Sequence, residues 1–258
     1  MGPIDLSSAR VLISNDDGIY APGLKILEKR IAERAAEVWV VAPATEQSAT
    51  SHSLTLRRPL RIRKHSPFRY SVDGTPTDCV LLGINKIMAD NPPDLVLSGI
   101  NNGGNLGEDV TYSGTVAAAM EGTLLGVPSI ALSQVYDDSR DIDWSVAEHW
   151  IAPVLDKLLG FNWPPGVLMN VNFPAIAADR VTGIEVVRQG RRKIGGDFRE
   201  AFDPRGEPYF WIGPQRDEDT AAPGTDLESV IRGAVAITPL SMDLTHQASI
   251  EKMQTEFS

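Results

Sequence analysis

The sequence predicts a doubly wound α/β fold, with a mostly parallel sheet covered by helices on both faces. Three observations carry this. Short continuous apolar runs recur along the chain, at Val11-Leu12-Ile13, Val38 to Ala42 and Leu95-Val96-Leu97. Unbroken rather than alternating hydrophobicity is the pattern of parallel strands buried on both sides. The runs are separated by helical stripes, and the first strand, helix and strand together take about thirty residues, the size of a βαβ unit. Each run also ends abruptly in polar, Gly-containing sequence, as expected where strand ends meet at a ligand-binding edge.

In chain order, Val11 to Ser14 is the first buried strand, followed by the polar stretch Asn15-Asp16-Asp17-Gly18. Pro22 and Gly23 open a helix with Leu24, Leu27 and Ile31 on one side and Glu28 at its edge. Val38 to Ala42 is the second strand, ended by Pro43, and the small polar loop ATEQSATSHS follows from Ala44 to Ser53. Leu54, Leu56, Leu60 and Ile62 alternate with polar residues, as do Phe68, Tyr70 and Val72, so a hairpin or arm with one wet face is expected. Gly74 to Asp78 turns into a short helix carrying Cys79.

Leu95 to Leu97 is the third core strand, and Ser98 to Gly107 is expected to be a Gly-rich loop with no packed core of its own. A small-residue helix begins near Ser113-Gly114-Thr115 and runs through Val116 to Gly122; its first-turn N–H groups are expected to be free for an anion. Ser129 to Ser133 is a fourth strand. After a polar linker, Asp137 to Asp143, a helix bears Val146, Trp150, Val154 and Leu158, and Val167 to Asn172 reads as a strand ended by Phe173-Pro174. The last third is less regular. Val181 to Val187 alternates weakly, Gln189 to Gly196 is basic, Tyr209 to Ile212 is a short aromatic strand, and Gln215 to Gly224 is a polar loop. Thr225 and Glu228 fit a capping box, and Val235 to Pro239 is the final strand. The 180–224 region reads either as an oligomerisation arm or as an ordinary surface hairpin.

Composition narrows the function. Of 258 residues, 42% are hydrophobic, enough for a core without disulfides, and the single cysteine, Cys79, excludes a cysteine-cluster metal site. The net charge of −10, from 34 acidic and 24 basic residues, argues against a stable nucleic-acid partner. No run approaches the roughly 18 apolar residues of a membrane helix, and the N-terminus lacks a signal-peptide pattern, so a cytoplasmic location with no membrane partner is expected.

Three strand ends supply oxygen-bearing residues: Asp16 and Asp17, the Gln47-Ser48 loop, and Asn101 with Asn105. Two carboxylates at the end of a hydrophobic strand are costly unless their charge is compensated. Two readings are open, an oxygen-ligand metal corner and an acidic turn shaped by Gly18. Carboxylate, amide and hydroxyl oxygens suit Mg²⁺, Mn²⁺ or Ca²⁺. With Ser113-Gly114-Thr115 as an anion cradle, the set points to phosphoryl chemistry. A non-catalytic nucleotide- or metal-binding module and a phosphatase forming a covalent aspartyl-phosphate are the alternatives. A dinucleotide oxidoreductase lacks its glycine fingerprint here. His52 is a candidate general acid or a loop anchor. Tyr112 either shapes the pocket or covers a base, and Arg191, Arg192 and Lys193 form either salt bridges between chains or a solvated charge run.

Longer motifs add a resemblance. NDDGIYAPG (Asn15 to Gly23), VVAP with QS and SHSLT (Val40 to Thr55), GTPTDCV (Gly74 to Val80), PDLVLSGINNGGNLGEDVTYSGTVAAAMEG (Pro93 to Gly122) and GVPSIALS together resemble the SurE family of survival protein E nucleotidases. The motif-bearing core spans about residues 10 to 135; NVNFP (Asn170 to Pro174) and the overall length also agree. The resemblance implies one three-layer, Rossmann-like domain over residues 1–258, with C-terminal excursions over about 180–258 that mediate a homodimer or homotetramer. It implies metal-dependent hydrolysis of nucleoside 5′- and 3′-monophosphates by metal-activated water, with activity toward short polyphosphate, and one divalent ion per subunit, Mg²⁺ or Mn²⁺. The implied metal ligands are Asp16, Asp17, Ser48 and Asn101. The implied phosphate contacts and catalytic groups include Asn105 and Ser113, with Gly114 and Thr115 nearby and Asn15 positioning a ligand. One departure is Ala49, where the family commonly has glycine after the serine.

Overall fold

In a computed structural model, which describes residues 2–136, 141–213 and 216–257, the chain opens with the expected βαβ unit: β1 (Arg10–Ser14), α1 (Pro22–Ala32) and β2 (Glu37–Pro43). There follow β3 (Ile62–Ser66), β4 (Arg69–Val72), α2 (Pro76–Leu82), β5 (Leu95–Asn102), α3 (Gly114–Leu124), β6 (Ser129–Gln134), α4 (Ser145–Leu159) and β7 (Val167–Phe173). The last third contains β8 (Ile184–Val186), β9 (Arg192–Ile194), β10 (Phe198–Phe202), β11 (Pro208–Ile212), β12 (Arg216–Glu218), α5 (Asp226–Ile231), β13 (Val235–Ser241) and α6 (Gln247–Glu256).

Nine strands form one sheet in the order β3-β4-β2-β1-β5-β6-β7-β13-β8. Every neighbouring pair is parallel except β3 with β4 and β7 with β13. Alternate strand residues feed two separate cores. Val11, Ile13, Val40 and Leu97 pack with α1 and α4 through Leu24, Leu27, Ile31, Ile151 and Val154. Leu12, Val41 and Val96 pack on the other face with Cys79, Val80 and Ala118 of α2 and α3. The result is three layers, as expected. Each fully buried leucine or isoleucine contributes about 1.5–3 kcal/mol. From β1 the chain adds β2 on one side and later β5 on the other, so the carboxyl ends of β1 and β5 flank the topological switch point. Among the described residues no helix is long and apolar enough to cross a membrane.

The structure departs from the sequence reading at several places. Leu54 to Arg61 is not a strand; the hairpin is confined to β3 and β4, and Leu56 is 83% exposed. An alternating pattern needs a sheet face to cover it, and here there is none. β5 runs on through Asn102, so half of the supposed Gly-rich loop is strand, and Ile100 is fully buried. β12 lies inside the supposed polar loop and pairs with β9. The start of α3 agrees with that reading: the helix begins at Gly114, with Ser113 as its N-cap. Part of the linker read at Asp137 to Asp143, residues 137–140, and Gln215 lie outside the described residues.

Candidate active site

The turn after β1 is set by Gly18, whose φ of +98° favours glycine and whose added Cβ would meet Thr45 C at 3.3 Å. Two backbone bonds fasten this turn to the loop after β2: Gln47 N–H donates to Asp16 O at 2.8 Å, and Ile19 N–H to Pro43 O at 2.9 Å. Asp16 is buried, and its carboxylate accepts from the hydroxyl of Thr115. Burial raises its pKa, and the Thr115 bond pulls the other way. Asp17 is half-buried and is pushed up to about 7, first by burial and then by the neighbouring Asp16 charge; Asn102 N–H donates to it at 3.3 Å and opposes the shift. Among the described residues no lysine, arginine or histidine offsets either charge.

The other oxygen donors converge on the same corner. Ser48 is exposed on the loop after β2, and its hydroxyl donates to Glu46 Oε1 at 2.7 Å, which leaves its lone pairs free. Asn101, near the end of β5, donates its Nδ2 to Gly103 O at 2.8 Å, so Oδ1 is the atom able to ligate a cation. Asp16, Asp17, Ser48, Asn101, Asn105 and Ser113 all line one cleft of about 890 Å³. Among the described residues no group of three His, Cys, Asp or Glu side chains stands at metal-binding spacing, so a cation here needs the amide and hydroxyl oxygens as well. Two uncompensated carboxylates with neutral oxygen donors fit a hard divalent cation.

The remaining predicted residues divide into those at the cleft and those behind it. Asn105 is held on all sides by buried polar groups. Its N–H donates to Asn172 Oδ1 at 2.8 Å, its carbonyl accepts from Asn170 Nδ2 at 2.8 Å and Asn172 Nδ2 at 3.1 Å, and its own Nδ2 donates to Ser133 Oγ at 2.8 Å. Ser113 Oγ accepts from Val116 N–H at 3.1 Å. That bond uses one first-turn donor of α3 that the sequence reading leaves free, because the N-cap side chain reaches it. Gly114, Thr115 and Asn15 stand behind the cleft wall. A Cβ on Gly114 would lie 2.7 Å from Asp16 Cβ, so glycine provides clearance there. Asn15 is buried, and its Nδ2 donates to Gly18 O at 3.0 Å.

Several contributors were not read from the sequence. Glu46 lines the cleft and raises both aspartates. Asn170 and Asn172 share one face of a buried strand, a signal that was present in the NVN run. The arm returns Arg192, Lys193, Phe198 and Ile212 to the cleft opposite Tyr112, through contacts that local patterning does not encode. Arg192 Nε lies 3.4 Å from Asp109 and 3.3 Å from Glu218, so this charge is paired within the chain. His52 is absent from the cleft lining; its Nε2 meets Glu121 Oε2 at 2.9 Å, which anchors the Ser48 loop to α3.

Comparison with known proteins gives the chain's family. A family profile described as Survival protein SurE matches residues 11–196. The chain is 60% identical to the 5'-nucleotidase SurE of Paramagnetospirillum magneticum, over 98% of this chain and 97% of that protein. It is 54% identical to the 5'-nucleotidase SurE of Rhodospirillum rubrum, over 98% of each. The crystal structure of the SurE protein from Aquifex aeolicus superposes with a TM-score of 0.84 at 40% identity, covering 96% of this chain and 100% of that one. The chain belongs to the SurE family.

Proposed function

We propose that this chain is a divalent-metal-dependent 5′-nucleotidase that hydrolyses nucleoside 5′-monophosphates, and also 3′-monophosphates, to nucleoside and inorganic phosphate. The observation that carries the reading is the pair of buried Asp16 and half-buried Asp17, without a cationic partner among the described residues, on a cleft shared with Ser48 and Asn101. The names of the relatives from Paramagnetospirillum magneticum and Rhodospirillum rubrum support the substrate class.

Asp16, Asp17, Ser48 and Asn101 would hold one Mg²⁺ or Mn²⁺ ion. Such an ion supplies Lewis acidity toward a phosphate oxygen and toward water, as in-line hydrolysis requires. Thr115 keeps Asp16 in one orientation. Asn105 and Ser113 face the cleft beside the acidic corner, where they orient the phosphoryl group and donate to its oxygens as charge shifts. The network around Asn105 fixes that donor before substrate arrives, so little reorganisation is needed. Residues 10–135 supply the acidic corner and phosphate contacts, while the region from about 180 supplies oligomerisation arms for a cytoplasmic homodimer or homotetramer. Activity toward short polyphosphate follows from the same anion-accepting corner.

The test is phosphate release from a panel of nucleoside monophosphates, using metal-stripped protein with and without added Mg²⁺ or Mn²⁺. Release is expected only with metal and is expected to be lost in Asp17→Asn and Asn101→Ala. Asn105→Ala is expected to lower kcat by about 10²–10³-fold. Metal-independent release, or full activity in both ligand variants, would overturn the reading.

A further inference from the structure

α3 is built of small and apolar residues with a single charged side chain, Glu121, and that side chain is buried at 7% exposure. A buried carboxylate is costly unless it is paired, and this one lies outside the cleft lining. Its partner is His52, on the loop after β2 that also carries Ser48. A carboxylate accepts and does not donate, so His52 Nε2 carries the hydrogen and donates to Glu121 Oε2 at 2.9 Å. We propose that the His52–Glu121 pair is a positioning device for the cation: by fixing the Ser48 loop on α3 it sets the spacing between Ser48 and Asp16, and through that spacing the affinity of the metal site. The proposal rests on the metal reading of the acidic corner given above and assigns a residue behind the ligands.

The Ser48 loop depends on such a hold. Between β2 and β3 the chain forms no helix or strand, and Ala49 and Ser51 take φ values of 57° and 55°, a left-handed conformation that residues with a Cβ adopt only where their surroundings enforce it. The near end of the loop is fastened to the first turn by the Gln47 N–H bond to Asp16 O. At the far end, Ser51 N–H donates to Tyr112 O at 3.1 Å and Ser51 Oγ to Thr111 O at 2.7 Å, both in the turn that leads into α3, and His52 then meets Glu121 in the helix itself. The same helix holds Asp16 through the Thr115 hydroxyl, and Glu121 stands about 9 Å further along it. One rigid element thus fixes oxygen donors from the ends of two different strands. His52 does not touch the cleft, so it acts through Ser48. Groups that orient ligands from behind in this way typically govern metal affinity by about 10–100-fold.

The experiment titrates metal-stripped, full-length protein with Mn²⁺, follows the free ion by electron paramagnetic resonance, and records the melting temperature in chelator alongside. His52→Ala is expected to weaken Mn²⁺ binding about 10–100-fold. His52→Gln, whose amide N–H takes the place of Nε2–H, is expected to recover most of the loss. His65→Ala, which removes a histidine bonded to Ser71 on the β3–β4 hairpin, is expected to bind Mn²⁺ as wild type does. His52→Ala alone strands the buried Glu121 and is expected to melt below wild type. Combining His52→Ala with Glu121→Leu removes the stranded group, so the melting temperature returns toward wild type while Mn²⁺ affinity stays weak. Affinity that recovers together with the melting temperature in the double variant, or that His52→Ala leaves at the wild-type value, overturns the positioning role and leaves the metal site standing. Wild-type protein that binds no Mn²⁺ overturns the metal reading itself, and the positioning role with it.

Discussion

Asp17 sits in a folded environment that resists its ionisation, with its carboxyl pushed up to about 7 against an ordinary value of 3.8. Between those values the folded state holds a proton that the unfolded state releases. In metal-free protein the stability therefore falls as pH rises through this window, and the loss is complete above about 7. Asp17→Asn removes the buried charge. In chelator at pH 8 the variant is expected to melt several degrees above wild type, at about 2–4 °C per kcal/mol for a chain of this size. The difference should shrink as the pH is lowered toward 4. Mg²⁺ should raise the melting temperature of wild type and leave the variant unmoved, since only a bound ion stabilises by mass action. A variant that melts below wild type in chelator at pH 8 would show that the charge is compensated in some other way. Ala49 makes a second point at this scale. Its φ of 57° lies in the left-handed region, as does the 55° of Ser51, so the loop bearing Ser48 keeps the glycine-like shape despite its alanine.

Among the elements, β7 has the least obvious part in function. It is buried, and two of its residues, Asn170 and Asn172, face the loop that carries Asn105. A buried strand bearing two asparagines on one face is expensive unless each finds partners. Here Asn172 both accepts from and donates to the Asn105 backbone. Asn172→Ala leaves the Asn105 N–H without its acceptor, at a cost of about 1–3 kcal/mol. It is also expected to lower kcat by about a hundredfold through misplacement of the phosphate donor. Metal affinity, measured by titration, should stay at the wild-type value, because Asp16, Asp17, Ser48 and Asn101 are untouched. Loss of metal binding together with kcat would mean that β7 supports the whole corner rather than Asn105.

At the scale of the molecule, the C-terminal third leaves apolar surface uncovered. No residue of α6 is buried, Leu244 before it is 92% exposed, and Phe210 and Trp211 of β11 are 62% and 67% exposed. Such surface is what the proposed assembly would cover. A chain ending at residue 246 is expected to keep its melting temperature within about 4 °C, since α6 buries none of its residues in the subunit. Its sedimentation velocity should report a smaller assembly than the full-length chain. Identical sedimentation of the two chains would remove α6 from the proposed assembly.

The sequence by itself determined the layered α/β fold and the acidic corner, because both are written locally. A buried parallel strand must be continuously apolar, and a strand end that holds ligands must turn abruptly polar. Asp16, Asp17, Ser48, Asn101, Asn105 and Ser113 were legible for that reason, at the ends of three recognisable strands or the start of a helix. Tertiary structure alone decided which groups stand behind them. Thr115 serves Asp16, Asn172 serves Asn105, and Asp226 ties the arm to Gly107, each across 65 residues or more of chain. No local period encodes such pairings, because they depend on which strands become neighbours. The extent of β5 escaped for a related reason: Gly99 and Asn101 look like loop, and only the neighbouring strands β1 and β6 hold them in the sheet. The arm's return to the cleft was equally hidden, since Lys193 meets Tyr112 only after the chain has crossed the sheet and folded back.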